Sequence, residues 1–299
     1  MKTFPEAIES GNILLGDGAV GTELQHRGMP TGVCPEEYNL THPHIVQGIY
    51  RDYFEAGSDI IETNTFGANR SRLALHQLEN RVVELCKRSV QLAREVCPEG
   101  RYVAGSMGPT GDIMEPLGPR TIQQTYDIFS EQAEALAEGG IDVIFVETMM
   151  AVEEAEIAIK AAKERTALFV AATMTFQLGE AGLRTVWGVD VKTAVQRMTD
   201  AGADIIGANC GCGFEDMITV VKEMLPITKP PIIAQPNAGI PKWVDGESIY
   251  DETPEAVQPK VERLLKLGVN ILGGCCGTTP KHIKAMRKKV DLTNQSFKK

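Results

Sequence analysis

Short apolar runs alternate along the chain with longer segments in which apolar residues recur every three or four positions. The runs predict buried strands, and the longer segments predict amphipathic helices. Segment 43–54 is typical of a helix, because its apolar residues at 45, 46, 49, 50, 53 and 54 form one stripe. The apolar runs lie at 13–16, 59–62, 102–106, 143–146, 168–172, 204–206, 232–235 and 269–272.

A repeated signature marks four junctions between a helix and the following strand. A glycine ends each helix, and an Asp or Asn two residues later opens the strand, at Asp59, Asp142, Asp204 and Asn270. The intervals between these positions hold about two strand–helix units each, at ~30 to 40 residues a unit. We therefore predict an α/β fold, a single-domain (β/α)8 or TIM barrel over residues 1–299, with a short polar tail from about 291.

Composition and charge limit the partners and cellular compartments that fit this protein. The 43% of apolar residues suffices for a large core, and the net charge of −10 argues against nucleic acid or an anionic membrane as partner. No apolar run approaches the ~18 residues of a membrane span, and residues 1–12 lack the core of a signal peptide. Seven cysteines, an odd number, indicate free thiols in a reducing compartment. We expect a cytoplasmic protein.

Chemically active residue types gather at the predicted carboxyl ends of the strands, where such barrels carry their active sites. Gly16, Gly18 and Gly21 match a dinucleotide-binding fingerprint, but a Pro- and Gly-rich loop follows where that unit needs its helix and second strand. We therefore interpret the segment as a loop that places Asp17 at the rim. The rim residues are Asp17, Thr65, Ser106, Met107, Gly108, Glu147, Thr173, Asn209, Cys210, Asn237, Cys275 and Cys276.

Three of the rim cysteines are candidates for a metal site. A disulfide between the adjacent Cys275 and Cys276 would close a strained ring, whereas the flanking glycines let both sulfurs face one point. Cys210 ends the sixth strand, close enough to the eighth to join them. Three thiolates at ~2.3 Å with an open fourth position are typical of a catalytic zinc. Two alternatives are Cys212 in place of Cys210, and cysteines that are merely small buried hydrophobes.

The donor set indicates the chemistry. Thiolate-only ligation weakens zinc as a Lewis acid towards water and favours activation of a substrate thiol. Glu147 ends an apolar strand and needs a cation, either a basic side chain or a substrate ammonium. Asp17 either needs a cation in the same way or caps its own loop. Residues 108–111 form either a carboxylate-binding loop or a plain turn. Together these features indicate a pocket for an amino acid with a thiol.

At these residues the sequence resembles the homocysteine S-methyltransferase family. The resemblance rests on Gly-Asp-Gly-Ala-Val-Gly-Thr at 16–22, Glu-Thr-Asn-Thr-Phe at 62–66, Gly-Ala-Asn-Cys at 207–210, Pro-Asn-Ala-Gly at 236–239 and Gly-Gly-Cys-Cys-Gly-Thr at 273–278. It implies a zinc-dependent barrel that moves a methyl group onto homocysteine to give methionine. The resemblance is greatest to the homocysteine-binding module of cobalamin-dependent methionine synthase.

The resemblance also implies residue roles. Cys210, Cys275 and Cys276 would be the zinc ligands at the catalytic centre. Asp17 and Glu147 would hold the amino group of L-homocysteine. Among the remaining substrate contacts would be Thr65, the loop of Ser106, Met107 and Gly108 near the carboxylate, and Asn237 at the open zinc position.

For the methyl donor we expect a methylated corrinoid such as methylcobalamin, carried by a separate protein, because no further domain follows the barrel. S-methylmethionine or another methylsulfonium is the alternative donor. Betaine is disfavoured, since a quaternary ammonium prefers an aromatic cage and aromatic residues total only 6%. A zinc- or redox-sensing thiol protein is the non-enzymatic alternative, but it leaves Asp17 and Glu147 without a role. A lyase or aldolase is disfavoured because no lysine or histidine ends a predicted strand.

Overall fold

A computed structural model describes residues 2–244 and 247–297. Eight parallel strands form one sheet with helices between them, which confirms the predicted α/β barrel. From β3 onward each barrel strand pairs with the barrel strand before it in the chain, and β1 pairs with β12. The barrel strands are β1 (Leu14–Leu15), β2 (Ile60–Glu62), β3 (Tyr102–Met107), β4 (Val143–Met149), β5 (Phe169–Met174), β8 (Ile205–Gly213), β9 (Ile232–Asn237) and β12 (Ile271–Leu272).

Two antiparallel hairpins interrupt the alternation of strands and helices. One pairs β6 (Gln177–Gly179) with β7 (Gly182–Arg184) in the loop after β5, and the other pairs β10 (Lys242–Val244) with β11 (Glu247–Ile249) after β9. Within the described ranges no helix is long and apolar enough to cross a membrane. The helices are α1 (Phe4–Glu9), α2 (Val20–His26), α3 (Tyr38–Thr41), α4 (Pro43–Ala56), α5 (Arg70–Ala74), α6 (Val82–Arg94), α7 (Ile122–Gly139), α8 (Val152–Arg165), α9 (Val191–Asp200), α10 (Phe214–Met224), α11 (Pro254–Lys266) and α12 (Pro280–Ser296).

The repeated Asp or Asn residues pair neighbouring strands at the amino-terminal end of the barrel. Asp59 donates its N–H to the Leu15 carbonyl at 2.6 Å and accepts the Leu15 N–H on its carboxylate at 2.8 Å. These two hydrogen bonds connect β1 to the start of β2, the one pair of neighbouring barrel strands that the described sheet leaves unpaired. Equivalent double contacts join Asp142 to Val103, Asp204 to Val170 and Asn270 to Ile232. The signature in the sequence therefore marks a backbone clamp that recurs every second strand.

The barrel interior is apolar towards the amino-terminal ends of the strands and polar towards their carboxyl ends. Side chains alternate along a strand, so Val143, Phe145 and Glu147 of β4 all face inward. Val143 and Phe145 belong to an interior hydrophobic cluster to which the other barrel strands and α1 also contribute. Phe4 of α1 meets the Tyr102 ring edge-on, with ring centroids 5.4 Å apart. The bottom of the barrel is therefore filled, and the polar layer above it faces only the carboxyl ends of the strands.

The last helix holds the first strand in place. The region from about residue 291, expected as a polar tail, forms the final turns of α12. Asn294 accepts the Ile13 N–H at 2.8 Å and donates to the Ile13 carbonyl at 3.0 Å. These two bonds satisfy backbone groups that precede β1.

Candidate active site

The three candidate metal ligands converge at the carboxyl ends of β8 and β12. The sulfurs of Cys210, Cys275 and Cys276 all lie within 4.8 Å of one another, and those of Cys210 and Cys276 are 3.9 Å apart. Cys210 reaches this position through an irregularity in β8, where its φ is +56° and the register against β9 shifts. Such bulges re-aim a side chain at the end of a strand.

The three thiols are close enough for each to change the pKa of the others. Hydrogen bonds from Cys275 and Cys276 lower the pKa of Cys210, which favours Cys210 over its two neighbours as a thiolate. The hydrogen bond to Cys210 in turn raises the pKa of Cys276 to about 12, and the pKa of Cys275 is raised for the same reason. A bound divalent cation would favour ionisation of all three, because metal ligation requires the sulfur anion.

A fourth donor atom lies next to the thiols. The Asn237 side chain is hydrogen-bonded to Cys210, and its Oδ1 atom is buried without a hydrogen-bond partner among the described residues. Buried oxygens almost always have a partner, so this atom fits a role as ligand to a cation. Three sulfurs and one oxygen match the tetrahedral preference of zinc.

The other cysteine of β8 is not part of the cluster. Cys212 is only 2% exposed and packs in the hydrophobic core outside the barrel. Burial raises its pKa to about 12, which opposes metal binding as a thiolate. The structure therefore brings Cys210, rather than Cys212, to the adjacent pair.

Glu147 is held by two hydrogen bonds, one from β3 and one from β8. Asn209 donates from Nδ2 to Glu147 Oε2 at 3.0 Å, and the Ser106 hydroxyl donates to Glu147 Oε1. Thr148, which follows Glu147, has a φ of +58° and donates its N–H to Asn209 Oδ1 at 2.7 Å. Glu147 is buried and makes no salt bridge among the described residues, so its carboxylate is available to a ligand cation.

Two further acids lie beside Glu147. Asp17 accepts the Glu62 N–H at 2.9 Å, and Glu62 accepts a hydrogen bond from Gln235 Nε2 at 2.5 Å. Burial, together with the charge of Glu147, raises the pKa of both Asp17 and Glu62. A cationic ligand would reverse this effect, because an opposite charge nearby favours the ionised carboxylate.

These groups surround one cavity of about 250 Å³. The thiols form one side of it, and Glu62, Ser106 and Glu147 lie in its wall. Such a volume suits a small ligand, and the thiols and carboxyls offer it two different kinds of contact. The remaining wall residues are Gly18, Ala19, Val20, Gly21, Thr22, Pro35, Glu36, Thr63, Asn64, Phe66, Thr148, Asn209, Gln235 and Gly274.

Besides Asp17 and Asn237, three of the predicted substrate contacts are absent from this wall. Thr65 donates its hydroxyl to the Ser106 carbonyl at 2.8 Å. Met107 is fully buried in the core outside the barrel, and the Gly108 N–H donates to the Phe66 carbonyl at 2.8 Å. Their positions favour support of the wall over direct contact. The roles assigned to all ten site residues stay predictions.

Sequence reasoning missed Glu62 and Tyr250 as site residues. Glu62 is the second inward residue of β2 after Ile60, so the alternation along the strand was the signal that could have found it. The Tyr250 side chain is hydrogen-bonded to Cys276, and its ring covers Gly277. Tyr250 follows a hairpin within a loop, where no periodic pattern indicates direction.

Comparison with known proteins agrees with this geometry. The family described as homocysteine S-methyltransferase matches residues 14–290. The chain is 32% identical to methionine synthase of Mycobacterium tuberculosis over 93% of its own length, and 31% identical to that of Mycobacterium leprae over 94%. It spans about a quarter of the length of these relatives, 24% in both cases.

A solved structure shares the fold over nearly its whole length. The metallated form of the homocysteine methyltransferase MmuM from Escherichia coli superimposes with a TM-score of 0.77 at 22% identity. The match covers 93% of this chain and 96% of that one. Because the family match extends over almost the entire barrel, including all three clustered cysteines, the chain belongs to the homocysteine S-methyltransferase family.

Proposed function

We propose that this protein transfers a methyl group to the thiol of L-homocysteine in a zinc-dependent reaction that yields methionine. The observation that carries the proposal is the presence of three clustered thiols and the carboxylate of Glu147 in one cavity. A ligand with a thiol at one end and an ammonium group at the other satisfies both. Family membership supports homocysteine as that ligand.

The cluster of Cys210, Cys275 and Cys276 would hold the zinc, with Asn237 Oδ1 as the fourth donor before substrate arrives. When bound there, zinc would lower the pKa of the substrate thiol and keep the resulting thiolate nucleophilic. The methyl transfer itself forms a sulfur–carbon bond and breaks the bond between that carbon and the donor.

Protein side chains orient the rest of the substrate. Glu147 would bind the ammonium group, and its direction is fixed by Ser106 and Asn209. Asn209 Nδ2 also lies 3.9 Å from the Cys275 sulfur, so one amide sets the distance between the two ends of the pocket. Such positioning of the reacting sulfur contributes to the rate by reducing the entropy cost of the encounter.

For the donor we propose a methylated corrinoid carried by a separate protein. The sequence resemblance to cobalamin-dependent methionine synthase supports the corrinoid, and the surface around the cavity supports the carrier. Large apolar side chains are exposed on five loops at the carboxyl ends of the strands, which we call the apolar collar. Exposed apolar patches of this kind mark interaction sites. The collar consists of Phe66, Ile113, Leu117, Met150, Leu178, Val186, Trp187, Ile240 and Ile249.

S-methylmethionine or another methylsulfonium is the second candidate donor. The cavity wall carries Glu36, Glu62 and Glu147, and the described part of the wall contains no lysine, arginine or histidine. A sulfonium cation would be attracted to such a wall. A small donor of this kind needs no contact with the apolar collar, so the two candidates differ in what the collar does.

The test is to incubate the zinc-loaded protein with L-homocysteine and each donor, and to measure methionine by mass spectrometry. The expected result is methionine from protein-bound methylcorrinoid at a higher kcat/KM than from free methylcobalamin or S-methylmethionine. Leu178→Ser with Trp187→Ser should lower kcat/KM only for the protein-bound donor. Leu75→Ser with Leu292→Ser, exposed residues off the collar, is the matched control. Binding of zinc and homocysteine with no methionine from any donor would overturn the proposal.

A further inference from the structure

The cavity wall holds an excess of acid. Glu36, Glu62 and Glu147 lie in it, and no basic side chain of the described residues balances them there. Glu36 is already satisfied, because its two oxygens accept the Gly67 N–H at 2.6 Å and the Cys34 thiol at 3.2 Å. The excess therefore concerns the pair of Glu62 and Glu147.

Glu62 and Glu147 are two buried carboxyl groups in the wall of one cavity. Burial raises the pKa of Glu62, and the neighbouring Glu147 carboxyl raises it further. The other contacts of Glu62 leave its protonation open: Gln235 Nε2 donates to Oε1 at 2.5 Å, and the Glu62 N–H donates to Asp17. Two buried carboxylates that share a cavity without a basic side chain repel each other unless a proton or another cation lies between them.

The surrounding titratable groups supply no positive charge. Asp17 follows β1 and Glu147 ends β4, and both repel a charge on Glu62. Helix α4 contributes the phenols of Tyr50 and Tyr53, which are neutral, and Gln235 of β9 is neutral as well. A ligand ammonium is therefore the cation that could replace the proton.

We propose that Glu62 holds a proton in the ligand-free enzyme and releases it to solvent when the primary ammonium group of the substrate binds beside Glu147. The inference rests on the proposed function, because it assigns the ammonium end of homocysteine to this end of the cavity. It makes Glu62 a specificity residue for an unsubstituted amine, whose N–H donors can meet both Glu62 and Glu147 in the cavity wall. An N-acylated homocysteine, which is neutral at nitrogen, could not displace the proton.

The protons balance as follows. The substrate amine arrives as R–NH3+ and stays protonated, while the Glu62 carboxyl loses H+ to solvent and becomes the counter-ion. The thiol of homocysteine loses a second proton when it binds as the thiolate. Homocysteine should therefore release up to two protons, whereas L-homoserine, which lacks the thiol, and 4-mercaptobutanoate, which lacks the ammonium, should release up to one each.

Calorimetry in buffers of different ionisation enthalpy counts these protons on the zinc-loaded protein. Between pH 5 and 8, the Kd for homoserine should fall about tenfold per pH unit below the pKa at which Glu62 loses its proton, because binding releases one proton there. Glu62→Gln should bind homoserine with a Kd that no longer depends on this proton and with no proton release. Its proton release with 4-mercaptobutanoate, and its zinc content, should match the wild type.

If Glu62→Gln does not fold, proton-release measurements on the wild-type protein alone still test the proposal. Equal proton release from homocysteine and 4-mercaptobutanoate across the pH range would overturn the proposal, as would failure of homoserine to bind. Proton release from homoserine that persists in Glu62→Gln would assign the proton elsewhere and overturn it too. None of these measurements depends on methyl transfer, so an enzyme that makes no methionine would contradict the proposed function without affecting this result.

Discussion

Asn209 and Glu147 form the contact that joins the two ends of the cavity. The amide donates to the Glu147 carboxylate at 3.0 Å and lies 3.9 Å from the Cys275 sulfur. Its Oδ1 atom is fixed by Thr148 N–H and by the Thr173 hydroxyl, both at 2.7 Å. The distance from the Glu147 carboxylate to the clustered thiols is thus set by one buried side chain.

Asn209→Leu should lower kcat more than it raises KM, because it keeps the volume but removes the contact that aligns Glu147 with the thiols. It should also destabilise the fold by about 1 to 3 kcal/mol, since it leaves buried polar groups without partners. Steady-state kinetics and urea unfolding check both effects. Thr173→Val removes only one support of Asn209 and should lower kcat less; an equal loss in both variants would contradict this role.

Each of Cys210→Ala, Cys275→Ala and Cys276→Ala should lose stoichiometric zinc, because three protein ligands are the minimum for a catalytic site of this type. Elemental analysis of the purified proteins measures the effect. Cys212→Ala is the matched control on the same strand and should retain zinc, since that thiol packs in the core. A Cys212→Ala protein without zinc, or a wild type without zinc, would show that the ligand set is wrong.

Glu147→Gln should weaken homocysteine binding by about 1.5 to 3 kcal/mol, because it removes a charged hydrogen bond while keeping the shape. Zinc content should not change, and isothermal titration measures the affinity. Glu154→Gln is a useful comparison: Glu154 is also buried but accepts Thr110 N–H at 2.8 Å rather than lining the cavity. Unchanged homocysteine affinity in Glu147→Gln would indicate a purely structural carboxylate.

The pH dependence of stability should reveal the protonated Glu62 independently of any ligand. Burial raises the pKa of Glu62 above the ordinary value of 4.5, so the folded state binds a proton that the unfolded state has lost. The free energy of unfolding of the wild type, relative to Glu62→Gln, should therefore fall as pH rises from 4.5 through the folded pKa of Glu62. Urea unfolding of both zinc-free proteins measures this difference, and parallel pH profiles would contradict it.

The sequence predicted the barrel and the clustered thiols because both follow from position along strands. All eight apolar runs form barrel strands, and Cys210, Cys275 and Cys276 meet because the ends of their strands are neighbours or nearly so. Glu147 was found because a carboxylate that ends an apolar run is conspicuous. The family likeness supplied the substrate, which residue spacing alone could describe only as a thiol-bearing amino acid.

The structure differs from the sequence-based predictions where the direction of a side chain, rather than its position along the chain, determines what it contacts. Ser106 and Met107 are neighbours in β3 and were predicted to act together, but adjacent strand residues face opposite sides, so only Ser106 reaches the cavity. The positive φ angles of Thr148 and Cys210 depend on tertiary hydrogen bonds and bulges that local propensity does not encode.

The filled lower half of the barrel has a kinetic consequence. With Phe4 and the interior cluster closing the other end, both substrates must enter, and both products must leave, through a single opening. The reactant that lies deeper must bind first, and its product must depart last. We therefore expect an ordered reaction with homocysteine leading, in which methionine inhibits competitively against homocysteine and not against the methyl donor.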